Sequence, residues 1–274
     1  MTSSCAAGSG HAVDNDIHVE FSGVTQEFLA SSGRVLVMEG VNLTVFRGEV
    51  VCIVGPSGCG KSTLLNMVAG LVIPTDGRVY YDGQEVRSIN TSVGYMTQHD
   101  TLLPWRTVAK NVGLPLEIAR MRRSERIKRV DEVLKLVGLD RQSQYPSQLS
   151  GGMLKRAALA QVLIYEPTTL LMDEPFGALD AQLRLVLQRE FLDIQSRTHQ
   201  TVLFVTHDLE EAILLADRIV VLGSGPGRIV HIEDVPFGRK RDLLRLRNEP
   251  EFPAIWERLW GLLAPELAES KGAR

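Results

Sequence analysis

Short unbroken apolar runs, separated by glycine-rich or charged turns, set the rhythm of this chain. Val50-Val51-Cys52-Ile53-Val54, Thr169-Leu170-Leu171-Met172 and Thr201-Val202-Leu203-Phe204-Val205 are such runs. Their length and lack of alternation predict strands buried on both faces, as in a parallel sheet sandwiched by helices. Helical periodicity follows the first from Ser62 to Val68. It follows the third through Glu210, Glu211, Ala212 and Leu215. Between Gln98 and Ser150 the pattern turns helical: Ser124 is placed to cap a helix whose Ile127, Val130, Val133, Leu134 and Val137 fall on one face, with Gly138 placed to end it. A further helix is expected from Met153 to Ile164, opened by Ser150-Gly151-Gly152. This order predicts an α/β core with an inserted helical block.

The first strand runs into Gly55-Pro56-Ser57-Gly58-Cys59-Gly60-Lys61-Ser62-Thr63, a G-x-x-x-x-G-K-[ST] loop between a strand and a helix. Glycines let backbone N–H groups curl around phosphate oxygens, and the helix start adds its positive dipole end. Lys61 can bridge the outer phosphates, and the Ser62 hydroxyl can ligate Mg²⁺. The second strand delivers Asp173 and Glu174 to its C-terminal end, the ligand-binding edge of a parallel sheet. Phosphoryl transfer is mostly positioning and charge neutralisation with one group to orient the nucleophile, a task for which such acids are suited. Ser150, Gly151 and Gly152 offer a hydroxyl and bare N–H groups at a second helix N-terminus, a second anion site.

Leu149-Ser150-Gly151-Gly152-Met153, a helix and then a strand ending in Asp173-Glu174 resemble, in this order, the ATP-binding subunits of ABC transporters. The resemblance implies a RecA-like P-loop NTPase core with an early antiparallel β subdomain and an inserted α-helical subdomain at about 99–159, the whole domain spanning 17–232. It implies ATP and Mg²⁺ as ligands, with Asp173, Ser62 and Gln98 toward the metal. Glu174 then polarises the attacking water, Gln98 touches it, and His207 is the switch histidine at the γ-phosphate. Phe28 stands where the family has an adenine-stacking aromatic, and Ala178-Leu179-Asp180 matches the loop that meets a partner subunit. The signature of one copy, Ser150 to Met153, closes on the P-loop of another, so hydrolysis is expected from a head-to-tail dimer. Met153 stands where Gln is usual. Within the family, Thr101-Leu102-Leu103-Pro104-Trp105 and Val221-Leu222-Gly223-Ser224-Gly225-Pro226-Gly227-Arg228-Ile229 resemble the nitrate, aliphatic sulfonate and taurine importer ATPases.

Composition narrows the class without deciding it. The chain has 274 residues, 44% of them hydrophobic and 23% charged, and its formal charge of −3 carries no excess of basic groups for a nucleic-acid partner. Cys5, Cys52 and Cys59 make neither a disulfide framework nor a metal cluster, which points to a reducing compartment. No apolar run approaches the roughly 18 residues of a membrane span, so a transporter role requires separate integral-membrane permease subunits. The chain would then sit at the cytoplasmic face of the inner membrane, served indirectly by a solute-binding protein. Residues 1–16 are expected to be a flexible tail and 233–274 a short C-terminal extension. Two basic clusters, Arg120 to Arg129 and Arg239 to Arg247, are either solvated faces or contacts to lipid headgroups. Trp105 is read as a partner anchor or as subdomain core, and Pro226-Gly227 as a hairpin turn. ABC ATPases of DNA repair or ribosome rescue carry coiled-coil insertions or two ATPase units, both lacking here; an Fe–S assembly ATPase is the remaining alternative of this length. A non-hydrolysing regulator would lack the acid that Glu174 supplies.

Overall fold

The computed structural model describes residues 16–272 except 32, 99–100, 178 and 239–240. The expected tail lies, apart from Asp16, outside the described residues, as do Ala178 and the Arg239-Lys240 pair. Two sheets make the frame. The first is antiparallel, in the order β2-β1-β4-β5, from β1 (Ile17–Ala30), β2 (Gly33–Phe46), β4 (Asp76–Tyr81) and β5 (Gln84–Glu85). The second runs β10-β9-β3-β8-β7-β6. Its parallel members are β3 (Val50–Val54), β6 (Val93–Met96), β7 (Thr169–Asp173), β8 (Thr201–Val205) and β9 (Arg218–Leu222), and β10 (Ile229–Asp234) adds an antiparallel edge.

The unbroken apolar runs are explained by the two cores they serve. Val50, Cys52 and Val54 of β3 face one core, and Val51 and Ile53 face the other. The same division separates Val202 and Phe204 from Leu203 and Val205 on β8. With side chains alternating across the pleat and both faces covered, the positions that follow the opening threonines of β7 and β8, and all of β3, are apolar up to the strand ends. One face packs on α1 (Lys61–Val68) and the antiparallel sheet. The other packs on α6 (Ala181–Thr198), α7 (Leu209–Leu215) and α9 (Glu251–Gly272), where the rings of Phe176, Phe191 and Phe204 meet with centroids 5.9 to 6.4 Å apart. A polar seam also ties the sheets together. Buried His18 of β1 bridges Asp82 at 2.6 Å and the Thr169 hydroxyl, at the start of β7, at 2.7 Å.

Between β6 and β7 the chain is helical: α2 (Val108–Val112), α3 (Leu114–Ile118), α4 (Arg123–Leu136), a 3₁₀ turn at Pro146–Gln148, and α5 (Gly151–Leu163). Several expected boundaries and faces are corrected by these elements. Ser124 does not cap α4; the helix begins at Arg123, Arg122 is its N-cap and no side-chain cap bond forms. Ile127 is 52% exposed, while Val130, Val133, Leu134 and Val137 are buried, so the apolar face starts a turn later than the spacing suggests. Gly138, at φ 63°, ends the helix as expected. The α5 helix opens directly at Gly151 rather than at Met153. The boundary expected at 232/233 falls inside β10, and the C-terminal segment is integral to the domain: Leu243 and Leu246 of α8 (Leu243–Leu246) and Phe252, Ile255, Leu259 and Leu263 of α9 lie in the main core. No helix among the described residues is long and apolar enough to cross a membrane.

Candidate nucleotide site

The C-terminal ends of β3, β7 and β8, with the segment after β6, bring together the polar residues marked in the sequence. After β3 the loop 55–60 turns into α1 through Gly60, whose φ of 97° is a left-handed conformation costly to any residue with a Cβ. Ser57, Gly58 and Ser62 are exposed, whereas Cys59 and Lys61 are buried and Thr63 is half-buried. The Lys61 ammonium donates to the carbonyls of Gly55 at 2.9 Å and Pro56 at 2.7 Å, tying together the loop it ends. Across from it, the Ser62 hydroxyl hydrogen-bonds the Asp173 carboxylate at the end of β7. Burial pushes the Asp173 carboxyl above its usual range; that hydrogen bond opposes the rise, the neighbouring Glu174 charge adds to it, and Lys61 opposes it.

Glu174 leaves β7 with φ 46°, a left-handed backbone that costs on the order of 1 kcal/mol for such a residue, and its N–H donates to Val205 O of β8 at 3.0 Å. This turn carries its carboxylate toward the end of β8. There Glu174 Oε2 lies 3.2 Å from His207 Nδ1 and accepts from Gln98 Nε2 at 3.3 Å. Gln98 and His207 are exposed and Glu174 is half-buried, so the three groups face open space from three different chain segments. A carboxylate held between an amide and an imidazole at the mouth of a phosphate loop can accept a proton from, or orient, a water attacking a phosphoryl group.

The glycine-rich start of α5 is differently built. Ser150 accepts a hydrogen bond from Met153 N at 3.4 Å and caps the helix, with Ser150 and Gly151 exposed. Gly152 is pressed against α6, where a Cβ would lie 2.7 Å from Leu183 Cδ2. Asp180 caps α6, accepting from Leu183 N at 3.0 Å. Phe28 lies on β1, opposite Val35 and 40% exposed, away from both cores.

The ABC transporter family description matches residues 38–177. A nitrate import ATP-binding protein, NrtD of Synechococcus elongatus, is 41% identical over 248 residues, covering 89% of this chain and 90% of its own. This chain belongs to the ABC transporter ATP-binding proteins. It is therefore an ATPase. An uncharacterized ABC transporter ATP-binding protein of Methanocaldococcus jannaschii is 42% identical over 93% of this chain and 94% of its own. The bicarbonate transport ATP-binding protein CmpD of Synechocystis sp. is 42% identical over 84% of this chain and 83% of its own. Among solved structures, the dimeric cassette MJ0796 in a post-hydrolysis state bound to ADP and Pi has a TM-score of 0.71 and 32% identity, over 80% of this chain and all of that one.

Two residues of this ABC ATPase site escaped the motif reading. Lys155 of α5, buried at 7% exposure, donates to the Gln98 carbonyl at 3.2 Å and so links the signature helix to the glutamine segment. A lysine interrupting an otherwise buried helix face was the available signal. Arg184 of α6 donates to Asp208 Oδ2 at 3.0 Å and to Leu179 O at 3.1 Å, joining the segment before α6 to the residue after His207. Nothing in its local sequence marks it. As for a metal, the donors at the P-loop are hard oxygens, the Ser62 hydroxyl and the Asp173 carboxylate with the Gln98 amide nearby. That set fits Mg²⁺, which takes one or two protein oxygens and fills its remaining positions with water and substrate phosphates.

Proposed function

We propose that this chain is the energy-coupling subunit of an importer for a small oxyanion-bearing solute such as nitrate, a sulfonate, taurine or bicarbonate. In this reading it hydrolyses Mg·ATP as a head-to-tail dimer beneath a separate permease, at the cytoplasmic face of the inner membrane, with a solute-binding protein delivering cargo. The observation that carries the reading is the near full-length similarity to nitrate and bicarbonate transport ATP-binding proteins, at 41% and 42% identity.

Each side chain then has a task. Backbone N–H groups of residues 55–63 and the Lys61 ammonium hold the phosphates; Phe28 stacks on adenine. Ser62, Asp173 and Gln98 hold Mg²⁺, which when bound neutralises charge on the phosphate oxygens. Glu174 orients the attacking water and takes its proton. His207 fixes the Glu174 carboxylate and meets the γ-phosphate. Ser150, Gly151, Gly152 and Met153 of the second copy present helix-start donors to that same phosphate, and Asp180 lies at the junction of the copies.

Two surface features support a permease partner. Leu71, Ile89 and Ile118 are 58%, 69% and 74% exposed along an apolar groove of about 510 Å³ between the core and α3. Such a groove suits the apolar face of a short helix. Trp105 is 72% exposed, so it is not subdomain core. Buried Asn111 holds its loop rigid, accepting from Leu103 N at 2.7 Å and donating to Leu103 O at 3.0 Å and Arg106 O at 2.9 Å.

The test is purification of the chain with its permease from native membranes and reconstitution in proteoliposomes. ATP hydrolysis should rise when the associated binding protein is loaded with nitrate, bicarbonate or a sulfonate. Stimulation only by a solute without an oxyanion group overturns the substrate class, and absence of any permease overturns the importer reading.

A further inference from the structure

The buried face of α9 is an apolar stripe, Phe252, Ile255, Leu259 and Leu263, and its next position is a carboxylate, Glu266, only 7% exposed. An apolar side chain would complete that stripe without the cost of burying a charge. Glu266 instead closes the loop between β9 and β10. Its Oε2 accepts from Ser224 N at 2.8 Å and its Oε1 from Arg228 Nη2 at 3.0 Å. Arg228 Nη1 returns to Ser224 O at 3.1 Å, Gly223 N donates to Arg228 O at 2.9 Å, and the Ser224 hydroxyl reaches Glu266 O at 3.4 Å.

This ring of bonds holds Gly227 against the nucleotide loop. Gly227 N donates to Val37 O at 2.9 Å and Gly227 O accepts from Glu39 N at 3.0 Å, so the loop is stitched to β2. A Cβ at Gly227 would lie 2.0 Å from Cys59 O, so the two backbones touch with no side chain between them. From the same strand, Met38 Cε would lie 2.8 Å from a Cβ at Gly60. The backbone just before Lys61 is thus backed by Gly227 and by Val37-Met38, and the placement of Gly227 depends on the carboxylate from α9.

We propose that Glu266 is a positioning residue for the ATP site, acting through residues 223–228 to hold the Cys59-Gly60 backbone in its phosphate-binding curve. The proposal rests on the ATPase activity alone and is independent of the importer reading. Coupling passed through packed backbone of this kind is typically worth a change of about 3- to 20-fold in affinity.

The test uses the full chain and three variants, measuring KM for ATP, binding of a fluorescent ATP analogue, kcat and melting temperature. Glu266→Met keeps the volume and the apolar stripe but loses both hydrogen bonds. It should melt at or above the native temperature while KM and the nucleotide Kd rise about 3- to 20-fold and kcat at saturating ATP stays within about twofold. Glu266→Gln keeps an acceptor for Ser224 N and should show a smaller rise. Arg228→Ala, which leaves the Ser224 bond in place, should fall between native and Glu266→Met. A native KM in Glu266→Met overturns the proposal. So does a KM rise across the three variants that merely follows a falling melting temperature.

Discussion

Two helix N-termini of this chain are proposed above to receive phosphate, and they are furnished very differently. Around the start of α1 the chain supplies everything itself: Lys61, the Ser62–Asp173 contact, and Glu174 held between Gln98 and His207. The start of α5 offers an exposed Ser150 and Gly151, and what packs beside it is apolar, Leu179 and Leu183. One end carries acids and cations for chemistry, while the other presents donors with no catalytic group at hand. A helix start that can bind charge but not process it is useful only when brought to another site. The difference between the two ends is therefore the physical argument for a composite site made from two copies.

The largest expected effect separates chemistry from binding at the α1 end. Glu174→Gln keeps the shape and loses the basicity, so hydrolysis should fall by about 10² to 10⁴ while ATP still raises the melting temperature. Ligand at about 100 times its Kd stabilises by roughly 2.7 kcal/mol. Near-normal turnover would remove Glu174 from the proposed role. At the α5 end, Ser150→Arg should abolish turnover of the homodimer yet leave binding at the P-loop nearly intact. Mixing Ser150→Arg chains with Lys61→Ala chains should restore part of the activity, because both lesions then fall on one composite site and the other is whole. Full activity of either variant alone would sink the split arrangement.

Legibility in the sequence divides along the same line. The P-loop, its strand and its helix are local, so length, apolar continuity and glycine placement suffice to mark them. The strand-end position of Asp173 and Glu174 is legible for the same reason. The meeting of Gln98, Glu174 and His207 joins segments separated by 76 and 33 residues, and only resemblance suggested it. Arg184 and Glu266 were missed because each acts through hydrogen bonds to distant segments that periodicity does not encode, whereas Lys155 left a trace in the pattern but not the identity of its partner. Residues 223–228 carry the cues of a hairpin turn, and that reading hides their approach to Cys59. Ser124 failed as a cap because capping preference is a local tendency worth about 1 kcal/mol, which the packing of α4 from Val130 onward outweighs.

A third surface sharpens the contrast, since the Trp105 loop serves neither phosphate end. With Trp105 72% exposed, truncation opens no core cavity. Trp105→Ala should leave the melting temperature and basal hydrolysis of the isolated chain close to native, and cost about 2 kcal/mol of permease affinity, as a buried interface anchor does. Equilibrium binding to detergent-solubilised permease, beside a melting curve, checks both. A fall of many degrees in the isolated chain would return Trp105 to a packing role.

The smallest expected effect tests how the α1 end is supported from behind. Glu211 of α7, 4% exposed, accepts from Gln188 Nε2 at 2.9 Å and from the Thr206 hydroxyl next to His207. Burial raises its folded-state pKa above the unfolded value, against the pull of those two hydrogen bonds. Its contribution to stability is therefore complete below the unfolded pKa and is lost as pH rises through the folded one, so the fold is the less stable for this carboxyl on the alkaline side of that window. Glu211→Gln keeps an oxygen for Gln188 and offers an N–H to Thr206, whose oxygen already accepts from Asp208 N at 3.0 Å and has a second lone pair. The variant should therefore be more stable than the native chain at neutral pH by about 1 kcal/mol, a melting shift of about 2–4 °C for a chain of this size. The advantage should vanish as pH falls below the ordinary carboxylate range, while hydrolysis changes by less than about threefold because His207 keeps its neighbours. Melting curves of both chains from acid to neutral pH check this. A native chain that stays the more stable of the two at every pH would mean that the Glu211 charge is fully compensated where it lies.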